Sequence, residues 1–107
     1  MTAANLRKTT NRSYNKTVYV WDEAKRKSNL KKHGLDFTDA YLVYENPDKC
    51  TYDASRGDEY RLMDVALAVV VGRLLTLVYT ETDEKVRIIS FRNASRTERK
   101  QYEEDTK

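Results

Sequence analysis

Three strand-like segments in the second half of the chain, joined by very short reversals, constrain the fold more than any other feature. These β-branched and aromatic segments are residues 59–71, 74–80 and 85–91. Gly72-Arg73 and the polar run 81–84 turn the chain between them. Connections this short join antiparallel neighbours, so the sequence predicts a β-meander.

Helices and two shorter strands complete the predicted architecture. The shorter strands are residues 17–21 and 49–53, and the helices are residues 22–33, 36–45 and 95–105. Asp22 and Gly34 have the positions of an N-cap and a C-terminal stop for the first helix. The order β-α-α-β-β-β-β-α predicts an α+β fold, with an antiparallel sheet and the helices packed on one face.

Positive charge is concentrated at the N-terminus. The chain has 107 residues and a net charge of +3, but residues 1–16 carry four basic and no acidic residues. The rest has 16 basic and 17 acidic residues, so any RNA site must be a local cluster. We interpret residues 1–16 as a flexible basic extension and residues 17–107 as a single domain. No segment has the roughly 20 apolar residues of a membrane helix, so a cytoplasmic location is expected.

The first predicted helix carries an unusual polar stripe. Five polar side chains fall within an arc of about 100° around the helix axis. They are Asp22, Lys25, Asn29, Lys32 and His33. The stripe is either a polar working surface or a solvated face, with Asn29 turned inward to satisfy backbone groups. His33 likewise has two possible roles, general acid–base chemistry or capping of the last helical carbonyls.

Metal and cofactor sites are not expected. One His and one Cys do not make a zinc site, and the Asp and Glu residues lack the spacing of a two-metal nuclease. RNA cleavage without a metal needs a base for the 2′-hydroxyl, cationic donors for the phosphorane and an acid for the 5′-oxygen. If this chain cleaves RNA, we expect it to do so without a metal.

Three arginines of the strand region are candidates for the cationic donors, because a guanidinium grips phosphate oxygens in a bidentate fork. Arg87 is predicted to lie within an apolar strand, on the same face as Ile89 and Phe91. Arg61 and Arg92 are predicted near the ends of strands. For each arginine the alternative is a structural ion pair.

Two residues of the last predicted helix also have two interpretations. Glu98 occupies the N3 position of the capping box that Ser95 opens, and this structural role competes with a catalytic one. Tyr102 lies one turn later on the same face, as either a core residue or a phosphate contact.

The same residues resemble the BrnT family of toxins over residues 18–104. The N-terminal half of the resemblance comprises Trp21-Asp22-Glu23-Ala24-Lys25, Asn29, Lys32-His33-Gly34, Phe37 and Ala40. The C-terminal half comprises Val78-Tyr79-Thr80, Arg87-Ile88-Ile89-Ser90, Arg92, Ala94, Glu98 and Tyr102. Two positions differ from the family pattern: Ala66 replaces a glycine, and Glu81-Thr82 stands where an arginine is common.

The resemblance implies a RelE-like ribonuclease fold and inhibition of translation by RNA cleavage. It also implies an RNA substrate and a BrnA-like antitoxin that carries the DNA-binding domain, so that contact with DNA is indirect. The catalytic candidates are His33, Arg87, Arg92 and Glu98, and the RNA-binding candidates are Lys25, Lys32, Arg61 and Tyr102. The alternative function is a non-catalytic module that binds a DNA-binding antitoxin and acts as its co-repressor.

Overall fold

A computed structural model describes residues 17–107, and the extension predicted at residues 1–16 lies outside them. The elements are β1 (Val18–Val20), α1 (Glu23–His33), a 3-10 turn (Phe37–Asp39), α2 (Tyr41–Tyr44), β2 (Cys50–Asp53), β3 (Leu62–Ala68), β4 (Arg73–Thr82), β5 (Lys85–Asn93) and α3 (Arg96–Asp105). The predicted α+β class is confirmed. No helix within these residues is long and apolar enough to cross a membrane.

The five strands form one mixed sheet in the order β1-β5-β4-β3-β2. Strands β3 to β5 form the predicted antiparallel meander, and β2 adds a fourth antiparallel strand beside β3. The prediction of a wholly antiparallel sheet is wrong because β1 runs parallel to β5. Helical segments separate β1 from the other strands, so no tight turn sets its direction. β1 pairs with only the first three residues of β5, which leaves the edge of residues 88–93 to α1.

A β-bulge in β5 decides which face Arg87 occupies. The register with β4 shifts between residues 78 and 79, so Ile89 has no partner there. Ile88 and Phe91 both point into the core, whereas Arg87 is exposed on the opposite face. The prediction that Arg87 shares a face with Phe91 is therefore wrong. It assumed unbroken alternation, which one inserted residue reverses.

The hydrophobic core lies on the inner face of the sheet, beneath α1, the 3-10 turn and α2. Its most fully buried members are Tyr19, Phe37, Val43, Leu75, Leu77, Tyr79, Ile88 and Phe91. The prediction that all helices pack on one face is wrong for α3. Glu98 of α3 contacts Thr76 and Arg92, which are paired in register and face away from the core. No residue of α3 is buried, and polar contacts of Glu98 join this helix to the outer face.

Capping of the helices follows the sequence closely. The Asp22 side chain accepts hydrogen bonds from the backbone N–H groups of Ala24 and Lys25, and Gly34 ends α1 in the left-handed conformation at φ 72°. The capping box between Ser95 and Glu98 is also present. These motifs are confirmed because they depend on residues only a few positions apart.

The predicted second helix and the longest predicted strand are shorter in the structure. The 36–45 helix is replaced by the 3-10 turn and the four-residue α2, with Phe37, Ala40 and Val43 buried at the three-residue spacing of a 3-10 helix. The 59–71 strand is reduced to β3, because residues 56–59 and 68–72 form turns at its two ends.

Candidate functional site

Asn29 fastens α1 to the free edge of β5. Its Nδ2 donates to the carbonyls of Phe91, at 2.7 Å, and Leu35, at 3.2 Å, and its Oδ1 accepts from the N–H of Phe91 at 3.2 Å. The side chain is buried, which confirms the predicted inward turn. Asn29 thus satisfies strand groups that would otherwise lack partners, and it sets the polar stripe of α1 beside β5.

A depression of about 190 Å³ lies between α1 and β5. Lys25, Lys32 and His33 line it from the helix, and Ile89 and Ser90 line it from the bulged part of β5. The inward position of Asn29 is compatible with the interpretation of the stripe as a polar working surface, because Lys25, Lys32 and His33 of the same stripe line this depression.

A second depression, of about 160 Å³, opens on the outer face of the sheet. Arg56 and Arg61 reach it from the β2–β3 hairpin, and Arg92 reaches it from β5. Ile89 and Ser90 line this depression as well as the first. The two depressions therefore meet at the bulge.

Arg87 lies near Arg61 on the outer face, because it pairs with Thr80 and the residue after Arg61, Leu62, pairs with Tyr79. Nη2 of Arg61 donates to Oε1 of Glu59 at 2.6 Å. That hydrogen bond, together with the positive charges of Arg61, Arg87 and Lys25, lowers the pKa of the Glu59 carboxyl. We call the combined region the basic surface; it consists of Lys25, Lys32, His33, Arg56, Arg61, Arg87 and Arg92.

Arg92 forms a bidentate ion pair with Glu98, at 2.8 and 2.9 Å. Glu98 also accepts hydrogen bonds from the Thr76 hydroxyl and the Ser95 N–H, both at 2.9 Å. Burial acts to raise the pKa of Glu98, but the hydrogen bonds from Arg92, Ser95 and Thr76 outweigh it and lower the pKa to about 2. Arg92 and Glu98 therefore have the structural roles considered for them, because their ion pair anchors α3 to β5. Arg92 also lines the second depression.

The structure brings seven of the eight predicted site residues to the basic surface or into contact with it, and Tyr102 is the exception. Tyr102 lines a different groove with Tyr41 and Leu42, and its hydroxyl lies 3.5 Å from the carbonyl of Asp48. Arg87 is exposed and takes part in none of the ion pairs found within residues 17–107, so the structural alternative considered for it does not apply.

Arg56 and Glu59 belong to this region but were not predicted. They flank Gly57-Asp58 in a tight turn, with backbone hydrogen bonds in both directions between them. The sequence signal that could have identified them is a pair of charged residues on either side of a glycine turn, two residues before Arg61. Nowhere in residues 17–107 do three or more His, Cys, Asp or Glu side chains form a group that could hold a metal ion.

One family model matches the chain. It is described as the ribonuclease toxin BrnT of type II toxin–antitoxin systems, and it covers residues 21–98, which include the whole basic surface. No curated protein matches the sequence significantly.

Proposed function

The chain belongs to the BrnT family of ribonuclease toxins of type II toxin–antitoxin systems, and we propose that it is a metal-independent endoribonuclease that inhibits translation by cutting RNA at the basic surface. The observation that carries this proposal is the convergence of cations from α1, the β2–β3 hairpin and β5 on the shared Ile89–Ser90 segment.

The charge distribution supports RNA binding at this surface. Six of the 16 basic residues that follow residue 16 lie there, although 17 acidic residues leave that part of the chain slightly negative. Phosphate groups are attracted to local clusters of cations more than to the net charge of a protein. Two depressions that meet at Ile89 and Ser90 provide neighbouring places for consecutive phosphates.

The side chains of the basic surface suit transesterification of the RNA backbone. Arg87 is exposed and takes part in no ion pair found within residues 17–107, so its guanidinium has donors to offer a phosphate. We assign stabilisation of the phosphorane to Arg87, supported by Arg61 and Arg92. Lys25 and Lys32 hold flanking phosphates, and His33, half-buried at the end of α1, is a proton-transfer candidate.

Family membership implies a protein antitoxin as partner. We propose a BrnA-like antitoxin that carries the DNA-binding domain, so that this chain reaches DNA only through its partner. We also propose a RelE-like fold, which the resemblance of the sequence to the family implies. Action in the cytoplasm belongs to the same proposal, because the protein must reach cellular RNA to cleave it.

Cleavage by the purified protein should survive chelation. We expect RNA incubated with the protein in EDTA to be cut to 2′,3′-cyclic phosphate or 3′-phosphate ends, because the cations of the basic surface supply the charge stabilisation that a metal supplies elsewhere. End mapping in EDTA, with a parallel reaction in magnesium, measures this. Activity that disappears in EDTA and returns with magnesium or zinc would contradict metal independence.

A protein that binds its antitoxin but never cleaves RNA would favour the co-repressor function.

A further inference from the structure

Glu59 is a carboxylate set among the cations of the basic surface. Its side chain is 48% exposed, and its Oε1 accepts the 2.6 Å hydrogen bond from Arg61. The other oxygen, Oε2, accepts no hydrogen bond from any residue between 17 and 107. One carboxylate oxygen is therefore accessible to a ligand that binds between Arg61 and Arg87.

The backbone of Glu59 is held in place by a tight turn. The N–H of Glu59 donates to the carbonyl of Arg56 at 2.8 Å, and the N–H of Arg56 donates back at 3.0 Å. Gly57 occupies the turn with a φ of 54°, a conformation that glycine adopts without strain. The turn fixes the backbone and the hydrogen bond from Arg61 orients the carboxylate, so the group is placed before a substrate arrives, as a catalytic group needs to be.

We propose that Glu59 is the general base of RNA cleavage, an inference that rests on the ribonuclease function proposed above. When Arg61 and Arg87 hold the scissile phosphate, the Glu59 carboxylate takes the proton of the adjacent 2′-hydroxyl. The 2′-oxygen then bonds to phosphorus, the P–O5′ bond breaks, and the leaving 5′-oxygen takes a proton from solvent water. The products are a 2′,3′-cyclic phosphate and a 5′-hydroxyl, and Glu59 returns its proton to water.

Glu98 is the other carboxylate paired with an arginine of the basic surface, and it is a poorer candidate. Its oxygens already accept four hydrogen bonds, two from Arg92 and one each from Thr76 and Ser95. These donors hold the Glu98 carboxylate in the contact that anchors α3 and lower its basicity, whereas Glu59 accepts one side-chain hydrogen bond and its Oε2 accepts none within residues 17–107.

The charges that face Glu59 also fix the pH dependence of a base at this position. The hydrogen bond from Arg61 has the largest effect on the pKa of Glu59, and together with the charges of Arg61, Arg87 and Lys25 it outweighs desolvation and holds the pKa below its usual 4.5. The deprotonated form that accepts a proton is therefore fully present from about pH 5.5 upward. The base should not limit cleavage between about pH 5.5 and 7, whereas an imidazole base would make the rate fall near pH 6.5.

The decisive variant is Glu59→Gln, whose amide oxygen can still accept from Arg61 but whose side chain cannot take a proton. We expect its single-turnover cleavage rate at saturating protein to fall by about 10²–10⁴-fold. Its affinity for RNA that carries 2′-deoxyribose at the cleaved position should stay the same or rise, because a negative charge has been removed. Asp58→Asn is the matched control, since Asp58 is the adjacent exposed carboxylate on the same turn, and it should cleave like the wild type.

Three results would overturn the assignment, each in a different way. Cleavage by Glu59→Gln at the rate of Asp58→Asn, from a wild type that cleaves, removes Glu59 as base and leaves the proposed function intact. Loss of cleavage matched by an equal loss of affinity for the 2′-deoxy RNA assigns Glu59 to binding. A wild-type chain that cleaves no RNA overturns the base and the ribonuclease function together.

Discussion

Arg87→Lys should cut RNA about 10²–10³-fold more slowly than the wild type, although the positive charge is kept. Arg87 is exposed on the outer face, and its charge acts on Glu59 beside Arg61. A lysine at this position cannot form the planar fork that holds two phosphate oxygens at once. Single-turnover cleavage by the two proteins, measured at saturating protein, gives the ratio directly.

Arg73→Lys is the control for this experiment. Arg73 is exposed at the first residue of β4, whereas Arg87 pairs with Thr80 at the far end of the same strand, roughly 23 Å away at the usual rise of a strand. The control should cleave normally, and both variants should melt like the wild type. Normal cleavage by Arg87→Lys would end the assignment of the phosphorane contact to Arg87. A lower melting temperature that accounts for the lost activity would show that Arg87 is structural.

Asp64→Ala should destabilise the fold by about 3 kcal/mol, which lowers Tm by more than about 10 °C in a domain of this size. Asp64 is fully buried in β3 and accepts hydrogen bonds from Lys49 at 2.7 Å, Thr51 at 2.6 Å and Tyr79 at 2.9 Å. Its removal leaves a part-buried ammonium and a buried phenol without their acceptor. This value is at the lower end of the destabilisation usual when one partner of a buried ion pair is removed, because the Lys49 side chain is 26% exposed and water can solvate its ammonium group.

Tyr79→Phe provides the comparison for Asp64→Ala, because it removes one of the three hydrogen bonds and leaves the ion pair with Lys49 intact. Its cost should be about 1 kcal/mol. Urea unfolding of the three proteins measures both differences. Equal stability of Asp64→Ala and the wild type would show that the buried carboxylate is not held by these contacts as the structure has it.

Local features of the fold were predictable from the sequence because neighbouring residues determine them. The Asp22 cap, the Gly34 stop and the capping box from Ser95 to Glu98 each depend on side chains and backbone groups within a few positions. The meander followed from short reversals that permit only antiparallel pairing. The parallel pairing of β1 with β5 and the location of α3 on the outer face depend on contacts between distant residues, and periodicity does not encode them.

The candidate site was predictable in part for the same reason. A helical wheel was enough to find Lys25, Lys32 and His33, because a regular helix fixes the direction of each side chain. Alternation failed at Arg87 because the bulge at Ile89 reverses the faces of β5. Glu59 was missed because its neighbours Arg87 and Lys25 come from β5 and α1, and only the folded sheet brings them to the hairpin turn.

Photocrosslinking of the protein to an RNA that it cannot cut tests most directly whether the basic surface is where RNA is bound and cleaved. The RNA would carry 2′-deoxyribose at the cleaved position, and crosslinked peptides would be identified by mass spectrometry. We predict crosslinks within residues 25–33, 56–61 and 87–92, which surround the two depressions. Crosslinks confined to residues 1–16, or to the opposite end of the sheet around Val69–Arg73 and Tyr102, would contradict the assignment of the basic surface as the RNA-cleaving site.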